Sequence, residues 1–378
     1  MMLRISLVSN ELPPYRVPFF QALNRTPDVT LQVLFCTRRE PNRLWEIPSL
    51  DFGHEFLRER IITIRGRYIH NNPGVVRALH RFAPHVVVTG GFNPTHLYAF
   101  AYGRAKRIPH VAMTDGTDVS EMGLGKWHKA VRRHVYARSA AFVSASSGGR
   151  RLHRSYGVAD EACFRSCLCI DNAVFASSAN AQERDIDLLF CGRIEPVKNP
   201  MFAFEVALHT ARRLGRKVSI LFVGAGEQEE ALRVHAAQHA AQVDARFQGF
   251  VAHEVLPSLY HSAKIFLFPT LWDPWGVVAN EACAAGLPVL VSPYAGVANE
   301  LVVHGRNGFV ENLEIGAWST AAAMLLSDQS AWENFSRASV SMASGYTYAS
   351  AASGLVAACR YATSGATRPS PSMNHPVT

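Results

Sequence analysis

An arginine and a lysine stand five residues apart where an apolar run stops, in Cys191-Gly192-Arg193-Ile194-Glu195-Pro196-Val197-Lys198-Asn199. Gly192 lets the backbone come close to a ligand. Arginine offers a planar fork and lysine a point charge, a pairing that suits a diphosphate. The plainer reading is two ordinary surface cations. Further on, Asp273-Pro274-Trp275-Gly276-Val277-Val278-Ala279-Asn280-Glu281 puts one carboxylate in a loop and a second about one and a half turns into a helix starting near Gly276. A helix start presents free N–H groups and positive dipole to an anion. Carboxylates so placed can each chelate a pair of sugar hydroxyls. Alternatively, Asp273 only caps the helix and Glu281 is a solvated helix residue.

Two more segments lie at strand ends. Leu221-Phe222-Val223-Gly224-Ala225-Gly226-Glu227 sits between a strand and a helix, with Asp244 20 residues beyond Gly224. This invites a nicotinamide reading, but Glu229 stands where the third glycine of that fingerprint belongs, and the motif alone is weak. Phe247-Gln248-Gly249-Phe250-Val251 reads as a strand followed by a turn.

The elements that position these residues alternate. In the first half, strands are expected at residues 4–9, 30–36, 85–89, 110–113 and 141–144, and helices at 17–23, 73–82, 94–107 and 126–140. A small, polar stretch at 176–185 reads as a linker. A second series follows, with strands at 186–191, 217–223, 246–250, 265–269, 288–292 and 308–310. Strand–helix alternation argues for parallel sheets. The expectation is α/β: two Rossmann-like, doubly wound domains with a cleft between them suited to a two-substrate reaction, since ligands in open α/β sheets bind beyond the carboxyl ends of the strands. The boundaries are 1–178 and 186–345, then a helix at 346–362. Residues 363–378, rich in Ser, Pro and Thr, read as a disordered tail.

Composition narrows the class. At 378 residues, 48% hydrophobic and 18% charged, the chain suits two packed domains. No apolar run reaches the roughly 18–20 residues a membrane span needs. The N-terminus is too short for a signal peptide, so a cytoplasmic protein is expected. Cys163, Cys167 and Cys169 match no zinc framework, and reduced buried thiols are expected for the seven cysteines. His235 and His239, four apart, read as surface or packing residues. Residues 1–180 hold 24 Lys and Arg against 13 Asp and Glu, a net +11, and residues 181–378 hold 14 against 17, a net −3. The first half therefore suits an anionic partner. No motif points to nucleic acid; a membrane surface or a phosphate-bearing acceptor fits better. Lys126-Trp127-His128-Lys129-Ala130-Val131-Arg132-Arg133-His134-Val135-Tyr136-Ala137-Arg138 reads as a basic amphipathic helix, with Trp127, Val131 and Val135 on one face. It suits the inner face of an anionic membrane. A helix packed on its own sheet with a solvated cationic face is the competing reading.

Taken together, Gly192-Arg193…Lys198-Asn199, Val223-Gly224-Ala225-Gly226, Gln248-Gly249-Phe250-Val251, Phe268-Pro269…Asp273-Pro274-Trp275-Gly276…Glu281-Ala282 and Gly286-Leu287-Pro288-Val289 resemble glycosyltransferase family 4 over residues 186–312. The resemblance implies the GT-B fold, with a donor/acceptor cleft between the two domains and the 346–362 helix as a closing segment that crosses back to the first, and a retaining transfer of a sugar from a nucleoside-diphosphate donor to a glycan or lipid-linked acceptor, with no metal or other cofactor. It implies that Arg193 and Lys198 hold the donor diphosphate, aided by backbone at Gly276 and Val277. Glu281 would take the ribose hydroxyls, Asp273 the transferred sugar, and Phe250 and Val251 would lie near the base. Gly192, Gly224 and Gly226 complete the donor-binding set. The family usually has Glu where this chain has Asp273, which leaves the sugar open. In the first half, Asn10-Glu11-Leu12-Pro13-Pro14-Tyr15-Arg16 follows the first strand, where the family has a substrate-facing loop. Met113-Thr114-Asp115-Gly116-Thr117-Asp118 stands near where the family has a His or Asp facing the reacting carbon. Asp115 takes that role, with Asp118 second, unless Asp115 only stabilises the turn at Gly116. A nucleotide-sugar epimerase and a non-catalytic glycosyltransferase-like subunit remain as alternatives.

Overall fold

A computed structural model describes residues 2–41, 47, 49–64, 67–176 and 184–365. The chain divides into two compact units, Met1–Cys167 with Tyr348–Thr378, and Leu168–Thr347. Residues 177–183 of the expected linker and 366–378 of the expected tail lie outside the described residues.

The first unit is built on seven strands: β1 (Leu3–Ser9), β2 (Val29–Phe35), β3 (His54–Phe56), β4 (Val86–Thr89), β5 (His110–Thr114), β6 (Ala141–Ser144) and β7 (Cys163–Arg165). They form one parallel sheet in the order β3-β2-β1-β4-β5-β6-β7. The central strands are nearly unbroken apolar runs because both faces of a parallel sheet are covered; β4 and β6 are buried at every residue. The edge strands β3 and β7, and a separate antiparallel hairpin of Ile61–Ile64 with Arg67–His70, were not expected from the sequence. The helix Tyr348–Thr363 belongs to this unit. It comes so close to β7 that a Cβ on Gly354 would stand 1.7 Å from the Arg165 carbonyl oxygen. Only a residue without a side chain fits there.

The second unit holds six parallel strands: β8 (Ile186–Cys191), β9 (Val218–Val223), β10 (Val243–Gly249), β11 (Ala263–Phe268), β12 (Val289–Val291) and β13 (Gly308–Val310), in the order β10-β9-β8-β11-β12-β13. On one face, Phe204, Ala207 and Leu208 of the helix Pro200–Leu214 pack with Trp318, Ala322 and Leu325 of the helix Ile315–Ser327. Each fully buried aromatic or branched side chain stabilises the fold by about 1.5–3 kcal/mol. The one acid inside an apolar strand, Asp187, is buried but answered: Arg216 reaches its two oxygens at 2.8 and 3.0 Å, and Ser219 donates its backbone N–H at 3.1 Å.

The change from first to second unit falls at Cys167/Leu168, eleven residues before the expected end at 178. The reason lies in the short helix Asn172–Ala176. Asn172 Nδ2 donates to the carbonyls of Ala343 and Tyr346 at 2.9 and 3.2 Å, and buried Phe175 packs edge-on against Tyr260.

Both sheets share one strand logic. The chain starts in the middle, winds outward, returns beside its first strand and winds the other way. That reversal opens a crevice at the carboxyl ends of β1 and β4 in the first unit, and of β8 and β11 in the second.

Candidate functional site

In the second unit, the loops after β8 and β11 flank the crevice. Gly192 takes φ +151 directly after β8. A short 3₁₀ turn, Pro196–Lys198, then carries Lys198, and Asn199 in the left-handed region leads into the helix Pro200–Leu214. Val197 ties this loop to the one after β11: its carbonyl accepts from Leu271 N at 2.8 Å and from Thr270 Oγ1 at 2.9 Å. Lys198 thereby reaches Asp273. Its Nζ donates to Asp273 Oδ2 at 2.5 Å, and both side chains are mostly buried. The other carboxylate oxygen of Asp273 accepts from Trp275 N at 3.0 Å, and the backbone of Asp273 is tied to Tyr294 and Gly296. Asp273 is thus a rigid group, held by a cation from one side of the crevice and by backbone from the other.

Gly276 ends this loop at φ +102 and caps the helix Val277–Ala284. A Cβ there would stand 2.2 Å from the Phe268 ring, so the helix starts directly over the end of β11. The Lys198 ammonium lies 5.7 Å from the centre of the same ring. Free N–H groups of the helix start, a lysine and a loop carboxylate therefore share one crevice. Arg193 is more exposed and pairs with Glu195. With the Arg193 side chain 60% exposed, this pair is solvated and contributes little to holding the guanidinium in place.

Glu281 is buried rather than solvated, at 7% exposure. The Tyr260 hydroxyl donates to its Oε2 at 2.7 Å. Burial raises its pKa to about 7, with the Tyr260 hydrogen bond acting in the opposite direction. Tyr260 comes from the short helix Leu256–Ser262 and was not singled out in the sequence. Cys191 lies against the same pair, its thiol pushed up to about 12 by burial and then by the charge of Glu281.

The remaining donor-set residues sit at neighbouring strand ends. A Cβ on Gly224 would stand 2.0 Å from the Gly192 oxygen, and one on Gly226 2.4 Å from the Ile194 oxygen. These glycines are required by contact between adjacent loops, which accounts for Gly224-Ala225-Gly226 without a dinucleotide. Gly224→Ala should lower the stability of the second unit by about 2–4 kcal/mol, because φ +129 and the carbonyl contact must both be relieved; an unchanged denaturant midpoint would contradict this account. Phe250 follows the end of β10 with its ring 77% exposed, and Val251 is half-buried beside it.

The first-unit crevice holds Asp115. It lines a cavity of about 290 Å³ together with Asn10, Glu11, Arg16, Glu40 and His96. Arg16 Nη2 contacts Asp115 Oδ2 at 2.5 Å. Burial works against the Arg16 charge, but Asp115 and Tyr15 outweigh it and hold the guanidinium protonated above its ordinary range. Asp118 is not among the lining residues. It starts the helix Asp118–Met122 and takes both oxygens to Arg151, at 2.7 and 3.1 Å. His96 Nε2 lies 2.9 Å from Asn10 Oδ1, and burial lowers its pKa to about 3, so the ring is neutral. His96, Arg16 and Glu40 were not picked as site residues; the only signal was position, at or after strand ends.

The basic helix runs Lys126–Tyr136, shorter than the expected 126–140. Its expected apolar face is divided: Val135 is buried and Val131 packs beside it, whereas Trp127 is 85% exposed. Arg132 of this helix turns inward onto Glu121 and lies over the Phe92 ring. No helix among the described residues is long and apolar enough to cross a membrane. Among the described residues no cysteine forms a disulfide, and no three metal-ligating side chains come together. His235 pairs with Glu205 and packs on Phe204.

Residues 173–341 match the family model described as Glycosyl transferases group 1. That segment contains every residue of the second-unit crevice described above and excludes the Asp115 cavity. An uncharacterized glycosyltransferase of Methanocaldococcus jannaschii is 31% identical over 147 residues, 38% of this chain and 37% of the relative. Glycogen synthase of Mycobacterium tuberculosis is 31% identical over 153 residues, 40% and 36% of the two chains. D-inositol 3-phosphate glycosyltransferase of Nocardia farcinica is 29% identical over 173 residues, 44% and 38%. The chain spans less than two fifths of the length of these relatives. Among solved structures, Anabaena HepE in complex with UDP aligns with a TM-score of 0.73 at 14% identity, over 94% of this chain and 99% of its own. A glycosyltransferase from Rickettsia africae aligns at 0.72 and 12%, over 96% and 99%. The fold is GT-B, with two Rossmann-like units on one chain.

Proposed function

We propose that the chain is a retaining glycosyltransferase of family 4. It moves a hexose-type sugar from a nucleoside diphosphate held by the second unit to a hydroxyl of a glycan or lipid-linked acceptor taken by the first, in the making of a cell-surface polysaccharide or glycolipid. The observation that carries this reading is the grouping of Lys198, Asp273 and the Gly276 helix start at the β8/β11 crevice, inside the segment matched by the group 1 model. The names of the sequence relatives and the UDP complex of HepE support it.

The chemistry follows from the groups present. The bond between the anomeric carbon and the β-phosphate oxygen breaks, and negative charge builds on the departing diphosphate. Lys198, Arg193 and the N–H groups at Gly276 and Val277 answer that charge, the largest expected catalytic effect. The acceptor oxygen bonds to the anomeric carbon on the face the diphosphate leaves, and its proton passes to a phosphate oxygen. These cations do what a metal ion would otherwise do, so no metal or other cofactor is required. Glu281 accepts from the ribose hydroxyls, Phe250 and Val251 flank the base, and Asp273 accepts from the sugar. Asp115 serves as the acceptor-side carboxylate. The exposed Trp127, with Lys126 and Lys129 beside it, gives the first unit a peripheral foothold on an anionic membrane.

Calorimetric titration with UDP, GDP and ADP tests the donor half. One nucleotide, UDP first, is expected to bind the wild type and to lose most of its affinity in Arg193→Ala. Binding of none of the three would bring the non-catalytic reading to the front.

A further inference from the structure

We propose that the first-unit cavity takes a ring that donates hydrogen bonds through hydroxyl or amino groups and carries no phosphate or carboxylate at the end that enters. The proposal rests on the transfer reading above and names the acceptor class for it.

The cavity lies at the β1/β4 crevice, where this topology binds ligands. Its volume of about 290 Å³ is at the lower end of small-ligand pockets, which suits one ring rather than a chain of them. Asp115 Oδ1 is buried and accepts no hydrogen bond. Its partner oxygen is taken by Arg16. A buried carboxylate oxygen without a donor is costly, and a hydroxyl or ammonium from an occupant would answer it. A phosphate oxygen would instead face Asp115 at contact distance. Glu40 also lines the cavity, its Oε1 3.0 Å from His70 Nε2, and Glu11 accepts from the Glu40 backbone N–H at 3.1 Å. Among the described lining residues Arg16 alone is positively charged, and Asp115 already engages it. His96 is buried and neutral, with an unpartnered Nδ1 suited to one further neutral hydrogen bond.

The cavity therefore has the opposite character to its surroundings. The first half of the chain is strongly cationic, which suggested a phosphate-bearing acceptor, yet the described cavity lining carries a single cation, Arg16, already paired with Asp115. A lipid-linked acceptor remains compatible if its phosphates stay outside and only its terminal ring enters.

The test uses the full chain with the donor nucleotide sugar identified by calorimetry. Methyl glycosides of glucose, galactose and mannose are compared with their amino and 6-phospho counterparts, as acceptors and as ligands by saturation-transfer NMR. At least one hydroxyl or amino ring is expected to bind and accept, with its phospho counterpart at least tenfold weaker. Asp115→Asn should reduce that discrimination at least threefold. Glu40→Gln, at a second lining carboxylate, should do the same and serves if the first variant misfolds. Equal or better binding of the phospho rings overturns the proposal. So does binding of the donor nucleotide with no ring bound, while failure of every nucleotide to bind overturns the transfer reading instead.

Discussion

Lys198→Ala is expected to lower turnover by about a hundred- to a thousandfold, the size seen when a preorganised group facing developing charge is removed. The argument rests on where the ammonium is held. It sits at the β8/β11 crevice, mostly buried, and is fixed by Asp273 at 2.5 Å and by the Phe268 ring. A charge held in place before the reaction needs no reorganisation when the diphosphate departs. The loss should therefore fall on kcat more than on donor affinity. One confounding effect is foreseeable. Removing the lysine strands the Asp273 carboxylate, and a half-buried unpaired charge destabilises by itself. Lys198→Met combined with Asp273→Asn separates the two effects, because the pair is neutralised together. The double variant should regain the wild-type melting temperature without regaining turnover. Recovery of both would show that Lys198 matters only for the loop. Arg193→Ala should also slow turnover, about a hundredfold. Its side chain is 60% exposed and turned to Glu195, so more of its loss should appear as weakened donor affinity.

The sequence made part of this arrangement legible and hid the rest for physical reasons. Strands β1, β4, β5, β6, β8, β9, β11 and β12 are largely apolar runs because both their faces are covered, and such runs can be read directly; β2, β10 and β13 are only partly buried and were read from their place in the strand–helix alternation. Strands β3 and β7 are three residues long, at sheet edges and partly exposed, so no pattern marks them. The Lys198 and Gly276 segments are contiguous motifs, and their places at strand ends followed from the order of elements. The pairings were not legible: Arg16 meets Asp115 across 99 positions, and Tyr260 meets Glu281 across 21. Nothing in a short polar helix says that one tyrosine will be fully buried against a glutamate. The burial of Glu281 itself runs against its residue type. Charge was misleading in another way. A net +11 over the first half describes its outer surface, whereas the cavity that surface encloses is lined by Glu11, Glu40 and Asp115. Net charge averages over a domain, but a ligand meets only the few groups that line its site.

Glu281→Gln should weaken donor binding by about ten- to a hundredfold, the value of one hydrogen bond to a charged group, and should flatten its pH dependence. In the wild type, burial holds Glu281 at a pKa of about 7, against 4.5 for an ordinary glutamate. Two hydroxyls of a ribose donate best to the ionised carboxylate. Donor affinity should therefore fall as the pH drops below about 7. Stability of the free protein runs the other way. The folded state keeps a proton between pH 4.5 and 7 that the unfolded chain has lost, so the contribution of Glu281 to stability is complete below 4.5 and is lost as the pH rises through 7. At pH 8 the glutamine variant no longer carries the cost of a buried charge, and its amide can still accept from Tyr260. It should melt no lower than the wild type while binding donor more weakly. A purely structural role for Glu281 would move both measurements down together. Tyr260→Phe refines the test: it removes the hydrogen bond that favours the ionised form, so the midpoint of the donor-affinity profile should move to higher pH. A midpoint that stays in place in Tyr260→Phe, or a pH profile that survives in Glu281→Gln, would assign the titration to another group and leave Glu281 as a buried helix residue.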